Sequence, residues 1–226
     1  MKKFFILLLI VPFFFSCTSF IYYPNGANAP LFKEKGEMQL ALGIKGLGGD
    51  IRSAYALSDY FAMQINANFL DVFGTEFGVA HNSGQYYGEG AIGFYKPLSE
   101  RFIFEGYLGT GLGTTFFRNT EIDYLRTTNY HKIYAQLDVG FRSKYFNIGL
   151  AIREAFVNTY CTKVNGVITG DQYVDTFFEP ILFLALGSEK FKINAQAGFS
   201  DSQFSIINNY APFIFGLGLE TRFSLK

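Results

Sequence analysis

The chain has 226 residues, no formal net charge, 17% charged and 19% aromatic residues, with 28 Phe, 15 Tyr and no Trp. Charged residues fall well below the roughly 25% of a soluble domain, and without a basic excess or basic runs no nucleic-acid partner is expected. No stretch after residue 20 reaches the roughly 20 continuous apolar residues of a membrane helix. High apolarity without long apolar runs is instead the balance of a transmembrane β-barrel, apolar outside and polar inside.

The first residues read as a secretory leader. Lys2 and Lys3 form the positive region, residues 4–15 the apolar one, and Ser16-Cys17 follow at once. The apolar region is too short to span a bilayer. Phe14-Phe15-Ser16-Cys17 is similar to a bacterial lipobox, with the small residue correct before Cys and Phe14 in place of the usual aliphatic residue. This predicts a signal peptide over 1–16 and a covalent lipid on Cys17, an ordinary leader being the alternative. Cys161 then has no partner in the chain. Pro24, Asn25-Gly26 and Pro30 break regular structure over 17–36, which reads as a periplasmic tether ahead of a barrel over 37–226.

From residue 37 the pattern alternates, as strand side chains require. Ile133, Ala135, Leu137, Val139 and Phe141 share one face; Tyr134, Gln136, Asp138 and Gly140 share the other. Ten strands are predicted, at 37–46, 50–57, 60–70, 86–96, 101–112, 130–141, 145–157, 176–186, 191–200 and 212–225; eight is the alternative count. Their lengths suit tilted membrane strands. Tight polar connections (58–59, 97–100, 142–144, 187–190) alternate with long ones (71–85, 113–129, 158–175, 201–211). Outer-membrane barrels combine short periplasmic turns with longer external loops. The fold class is therefore an all-β, antiparallel, up-and-down transmembrane barrel in the outer membrane, with both termini periplasmic and the long loops outside. Aromatic residues near both sets of connections, such as Tyr60, Phe61, Tyr95 and Phe102 at one and Tyr86, Tyr87, Tyr130 and Phe177 at the other, fit interfacial girdles.

The inward face should hold a polar network of Glu89, Glu105, Lys132, Asp138, Arg153, Glu179, Lys192, Glu220 and Arg222, joined by Lys45 and Arg52. Charges of both signs in a tight interior must pair or stay hydrated. They form either an ion-paired plug or the lining of a narrow channel, and interiors of small barrels are largely filled by side chains. No catalytic set stands out. His81 and His131 are the only histidines, with Asp123 or Asp171 as conceivable neighbours of His131. No His, Cys or Asp spacing suits a metal. The Gly-rich run 109–115 lacks the Lys and helix of a phosphate loop and sits in a strand pattern; its glycines read as space in a crowded wall.

Tyr23-Pro24-Asn25, the run from Ala29 to Glu37 (APLFKEKGE) and Tyr55-Ala56-Leu57-Ser58-Asp59-Tyr60 together resemble uncharacterised outer-membrane β-barrel lipoproteins of Bacteroidota, in the small outer-membrane barrel superfamily. The resemblance implies an outer-membrane barrel and carries no activity or site residue. The expected function is a noncatalytic structural or accessory subunit of an outer-membrane assembly serving secretion, transport or envelope biogenesis, with protein partners and membrane lipids and no cofactor beyond the Cys17 lipid. A narrow pore, or adhesion through the long loops, is the alternative.

Overall fold

The structure, a computed structural model, describes residues 20–45, 48–76, 79–170 and 172–225; for 72–76 and 79–81 it describes the backbone alone. The leader and Cys17 lie outside the described residues.

Alternation becomes wall. The strands are β1 (Glu37–Lys45), β2 (Gly48–Ala56), β3 (Phe61–Glu76), β4 (Val79–Pro97), β5 (Phe102–Asn119), β6 (Tyr124–Arg142), β7 (Phe146–Val164), β8 (Val167–Ile168), β9 (Tyr173–Gly187), β10 (Phe191–Phe199), β11 (Asp201–Ser202) and β12 (Phe213–Ser224). Ten of them pair antiparallel with their neighbours in sequence, and β1 pairs with β12 to close the ring. The two-residue β8 and β11 only extend the wall beside β7 and β9. The fold is thus a closed ten-stranded antiparallel barrel.

Its outer wall is apolar all round. Ile92 is 72% exposed and Leu108 68%, and Leu42, Ile65, Ile133, Leu182, Ile193 and Leu217 also face outward. A continuous apolar belt far exceeds the patches tolerated on water-soluble proteins and suits lipid.

The four tight turns are built alike. In each, a serine begins Ser-x-x-Phe, at Ser58, Ser99, Ser143 and Ser188. The serine Oγ accepts the amide hydrogen of the Phe three residues on: Phe61 (3.0 Å), Phe102, Phe146 and Phe191 (3.1 Å each). This local bond replaces a ladder bond at the turn, and the Phe opens the next strand on the outer face.

The other end differs from the sequence expectation. Residues 71–85, 113–129 and 158–175 are mostly strand rather than loop. β4, β6 and β7 each run for 19 residues, about 60 Å of extended chain, roughly twice what a tilted spanning strand needs. Beyond the belt both faces carry Thr, Asn and Tyr, so the apolar–polar contrast fades while the backbone ladder continues. Thr114 Oγ1 donates to Asn129 Oδ1 at 2.8 Å across that extension. Cys161 is consequently a half-buried strand residue paired in register with Asn129. The β7–β8 turn is Asn165-Gly166 with φ of 50° and 82°, the pair that a tight hairpin turn demands. The connection 203–212 alone stays irregular over most of its length.

Candidate functional site

The largest departure from the sequence reading is the segment ahead of β1. Residues 20–36 do not hang below the barrel as a periplasmic tether; they run through its interior from end to end. Ile21 N donates to Asn209 O at 2.6 Å and Tyr22 bridges to Tyr210, both at the long-hairpin end. Gly36 bonds to Ala56 and Leu225 at the tight-turn end. Phe20 and Leu225 therefore stand at opposite ends of the barrel, where both termini were expected on one side. Prolines and Asn-Gly do keep this stretch out of helix and strand. Irregular backbone still needs partners for its polar groups, and here the wall supplies them instead of water.

The carbonyls come first. Arg153 donates to the carbonyls of Asn25 (3.4 Å) and Gly26 (3.3 Å). Arg52 and Gln196 both reach Ala27 O, at 3.1 and 2.7 Å. Gln64 and Gln136 converge on Asn28 O, each at 2.9 Å. Lys45 caps Pro24 O. Lower down, Arg222 donates to Pro30 O and Arg142 to Leu31 O. The amides of Leu31 and Phe32 then donate to the two oxygens of Glu105, at 3.0 and 2.8 Å.

Side chains fix the register. Tyr22, Leu31 and Phe32 are fully buried. Tyr22 packs against Tyr130 and Phe177 and donates to Glu179 Oε1 at 2.7 Å. Asn28 Nδ2 reaches Asn66 Oδ1 at 2.8 Å and Ser53 O at 3.1 Å. Phe32 meets the ring of Tyr95. Tyr87, Tyr95, Tyr130 and Phe177 thus point inward and do not join the outer girdles. In pairs such as Tyr86-Tyr87 and Phe177-Phe178, alternation sends only one ring outward; the other turns into the lumen, Tyr87 against Tyr130 and Phe177 against Tyr22.

The residues singled out as a single polar network fall into separate groups. Glu89, Lys132, Arg153 and Glu179 form the central one. Lys132 Nζ lies 3.1 Å from Glu89, and Arg153 lies 3.9 Å from Glu89 and 3.8 Å from Glu179. All four are essentially buried, and their formal charges cancel. Asn66 and Tyr87 complete the shell of Glu89. Lys132 also sits over the Tyr87 ring at 4.6 Å, and Arg153 over Tyr134 at 4.7 Å. Asp138 joins only indirectly: it accepts from Gln136, whose other end accepts from Arg153 at 2.7 Å.

A second group lies at the tight-turn mouth. Glu105 clasps the threaded backbone. Glu37 takes a bidentate bond from Arg142, both at 2.8 Å, with Arg222 at 3.7 Å. Glu220 accepts from Gln39 and Asn147, and Lys192 donates to Ser143 O. At this mouth, desolvation and the adjacent Arg142 push the Lys33 ammonium below its ordinary value.

Glu37, Arg142 and Asp175 were not singled out from sequence, and Gln64 and Gln136 were given no part in the polar network. The glutamines carry a signal in retrospect: polar, uncharged and on the inward alternation. Asp175 is read only through its loop. Its carboxylate accepts the amides of Thr176, Ile206 and Ile207 and the Ser202 hydroxyl, which folds 203–207 over the long-hairpin mouth.

Little space remains. The two cavities found along the lumen are about 20 Å³ each, one beside Gly26 and Glu89 and one beside Asn28 and Glu220, enough for a single water. Glycines make the fit possible. A Cβ on Gly109, Gly111 or Gly113 would fall within 2.4 Å of the rings or hydroxyls of Tyr134, Tyr87 and Tyr130 respectively. His131 lies on the outer wall, its Nε2 bonded to Thr110 Oγ1 at 2.7 Å. Asp171 and the His81 side chain lie outside the described residues, and no cluster of His, Cys, Asp and Glu suited to a metal occurs among the described ones.

No family model matches the chain, and no curated protein does. Among solved structures it is similar to the translocator domain of autotransporter NalP from Neisseria meningitidis, with a TM-score of 0.50 and 11% identity, over 83% of this chain and 86% of that one. At that identity the likeness is one of fold, that of an outer-membrane barrel.

Proposed function

We propose that this protein is a noncatalytic outer-membrane barrel, sealed by its own N-terminal segment, that works as a structural or accessory subunit of a larger outer-membrane assembly. The filled lumen carries this reading. Residues 20–36 of its own chain occupy the interior, and the lumen cavities are of water size. A resting barrel of this kind passes no solute, so its working surfaces are its outer wall, its projecting hairpins and its mouths. The apolar belt and the barrel likeness support the membrane, and the long projecting hairpins suit the outer side.

Lipidation of Cys17 belongs to the same proposal and rests on the leader and on the resemblance to Bacteroidota lipoproteins. Phe20 is three chain steps from Cys17, with Thr18 and Ser19 between them, about 10 Å of chain at most. A lipid there is therefore tied to the long-hairpin mouth, not to the tight-turn end.

The test has two arms. In planar bilayers the purified protein should give no conductance steps. After mild extraction and cross-linking from its native membrane, it should be recovered with a stoichiometric partner protein. Steady single-channel currents from the intact chain, or recovery as a lone monomer, would overturn the reading.

A further inference from the structure

The lumen treats residues 20–36 as a ligand rather than as core. Between Pro24 and Leu31 the wall meets the segment chiefly through its backbone: seven of these eight carbonyls accept a bond from a wall side chain, all but that of Ala29. The donors are long cationic or amide side chains, four arginines (Arg52, Arg142, Arg153 and Arg222), three glutamines and Lys45, which reach from the wall without any ladder contact. A core strand would pair edge to edge with the sheet, yet this segment makes one isolated bridge to Tyr210. Backbone-directed donors recognise an extended chain whatever its sequence; the large apolar anchors, Tyr22 and Leu31-Phe32, sit at the ends, with the small Ala27 and the hydrogen-bonded side chains of Asn25 and Asn28 between them.

We propose that the lumen is a binding site for an extended polypeptide, recognised mainly through its carbonyl groups, and that residues 20–36 are its resident, displaceable occupant. The linker at the tight-turn mouth fits that arrangement, because Lys33, Glu34 and Lys35 are exposed and join the occupant to β1. In the middle of the occupant the chemistry asks only for small or amide side chains, as at Asn25 and Asn28. It needs an extended backbone of about a dozen residues that carries small side chains where the wall closes in, as at Gly26, where a Cβ would fall 2.5 Å from the Gln196 side chain. This inference does not depend on the accessory role proposed above, since a barrel that acts alone would hold the same site.

The experiment starts from the intact folded chain. A site-specific protease recognition sequence is inserted between Lys35 and Gly36 in a Cys17→Ser background, so that no lipid retains the fragment after cutting. The purified barrel is cut in detergent and challenged with a fluorescent synthetic peptide of residues 20–35. The expected result is a barrel that keeps its folded, heat-modifiable migration, exchanges its fragment for the peptide saturably, and conducts in planar bilayers only while the site is empty. A Tyr22→Ala/Phe32→Ala peptide should bind about a hundredfold more weakly, since each ring is fully buried. A peptide of the same composition in scrambled order should still compete, at about tenfold to hundredfold higher concentration. Loss of the folded form on cutting would show that the segment is core. Failure of the fragment to exchange would show that it is not displaceable. A scrambled peptide that never competes would show that the wall reads sequence. Each of these overturns the proposal.

Discussion

Arg153 is the residue on which the interior most depends, and Arg153→Met isolates its charge at nearly constant volume. The guanidinium is fully buried and donates to Gln136 at 2.7 and 3.1 Å and to two carbonyls of the threaded segment. It also balances Glu89 and Glu179 in a group whose other cation is Lys132. Removing it takes the four-charge group from neutral to −1 in a buried site. Breaking a buried ion pair by deleting one partner costs about 3–5 kcal/mol, mostly from the charge left behind. The expected loss is therefore about 3–5 kcal/mol, read from urea unfolding in lipid vesicles by tryptophan-free tyrosine fluorescence or by gel shift. The same reasoning makes the double variant informative. Adding Glu179→Gln restores neutrality, with Glu89 and Lys132 left as a pair, while the amide oxygen introduced there can still accept from Tyr22. The double variant should be more stable than the sum of the singles implies, by about 1–3 kcal/mol. A single variant within about 1 kcal/mol of wild type, or strict additivity, would refute the idea that charge balance holds this interior together.

Gly113→Ala should destabilise the barrel by about 1–3 kcal/mol, because the new Cβ would lie 2.2 Å from the Tyr130 ring, while Gly88→Ala, with nothing within 4 Å, should be close to neutral in the same unfolding assay. Leu108→Arg, on the middle of the outer belt, should cost about 2–4 kcal/mol in a bilayer and much less in a polar-headed detergent micelle, and equal losses in both would argue against lipid contact there. An epitope inserted in the β5–β6 turn at 120–123 should bind antibody on intact cells, whereas one inserted after Lys144 should not; the reverse pattern inverts the orientation. Asp175→Ala should loosen the 203–207 connection, raising its proteolysis several-fold with little effect on the unfolding midpoint of the wall.

The wall was legible in sequence because a strand that faces lipid on one side and protein on the other must alternate. Ile133 to Phe141 shows it, and the paired register of β5, β6 and β7 follows directly. The four tight turns were legible too, and the recurrence of Ser-x-x-Phe sharpens them into one motif. What faded was the apolar–polar contrast beyond the membrane, where Thr, Asn and Tyr stand on both faces of β6 and β7. There, strand and loop have the same composition, and only pairing distinguishes them. The interior charges were found by the same alternation, yet their grouping was not, because register alone does not say that Glu105 faces the backbone of Leu31 while Glu89 faces Lys132.

The threaded segment was missed for a different reason, and strand number explains why it is there. Eight strands enclose a space that wall side chains just fill, and the diameter grows roughly linearly with strand number. Ten strands leave a void along the axis that inward side chains alone do not span. Part of this wall is even thinned, at Gly109, Gly111 and Gly113, to admit the tyrosine rings. Even where they pair on the wall, Arg52, Arg142, Arg153 and Arg222 keep donors, and Glu105 keeps acceptors, that the threaded segment satisfies. Filling the void with extended chain solves both problems at once, since its carbonyls accept from the wall cations and the amides of Leu31 and Phe32 donate to Glu105. On this argument the ten-stranded count and the irregular, proline-broken leader to β1 are two halves of one solution. Shortening that segment should therefore hydrate the lumen, because Arg153 and Glu105 would then take water in place of the carbonyls and amides they lose.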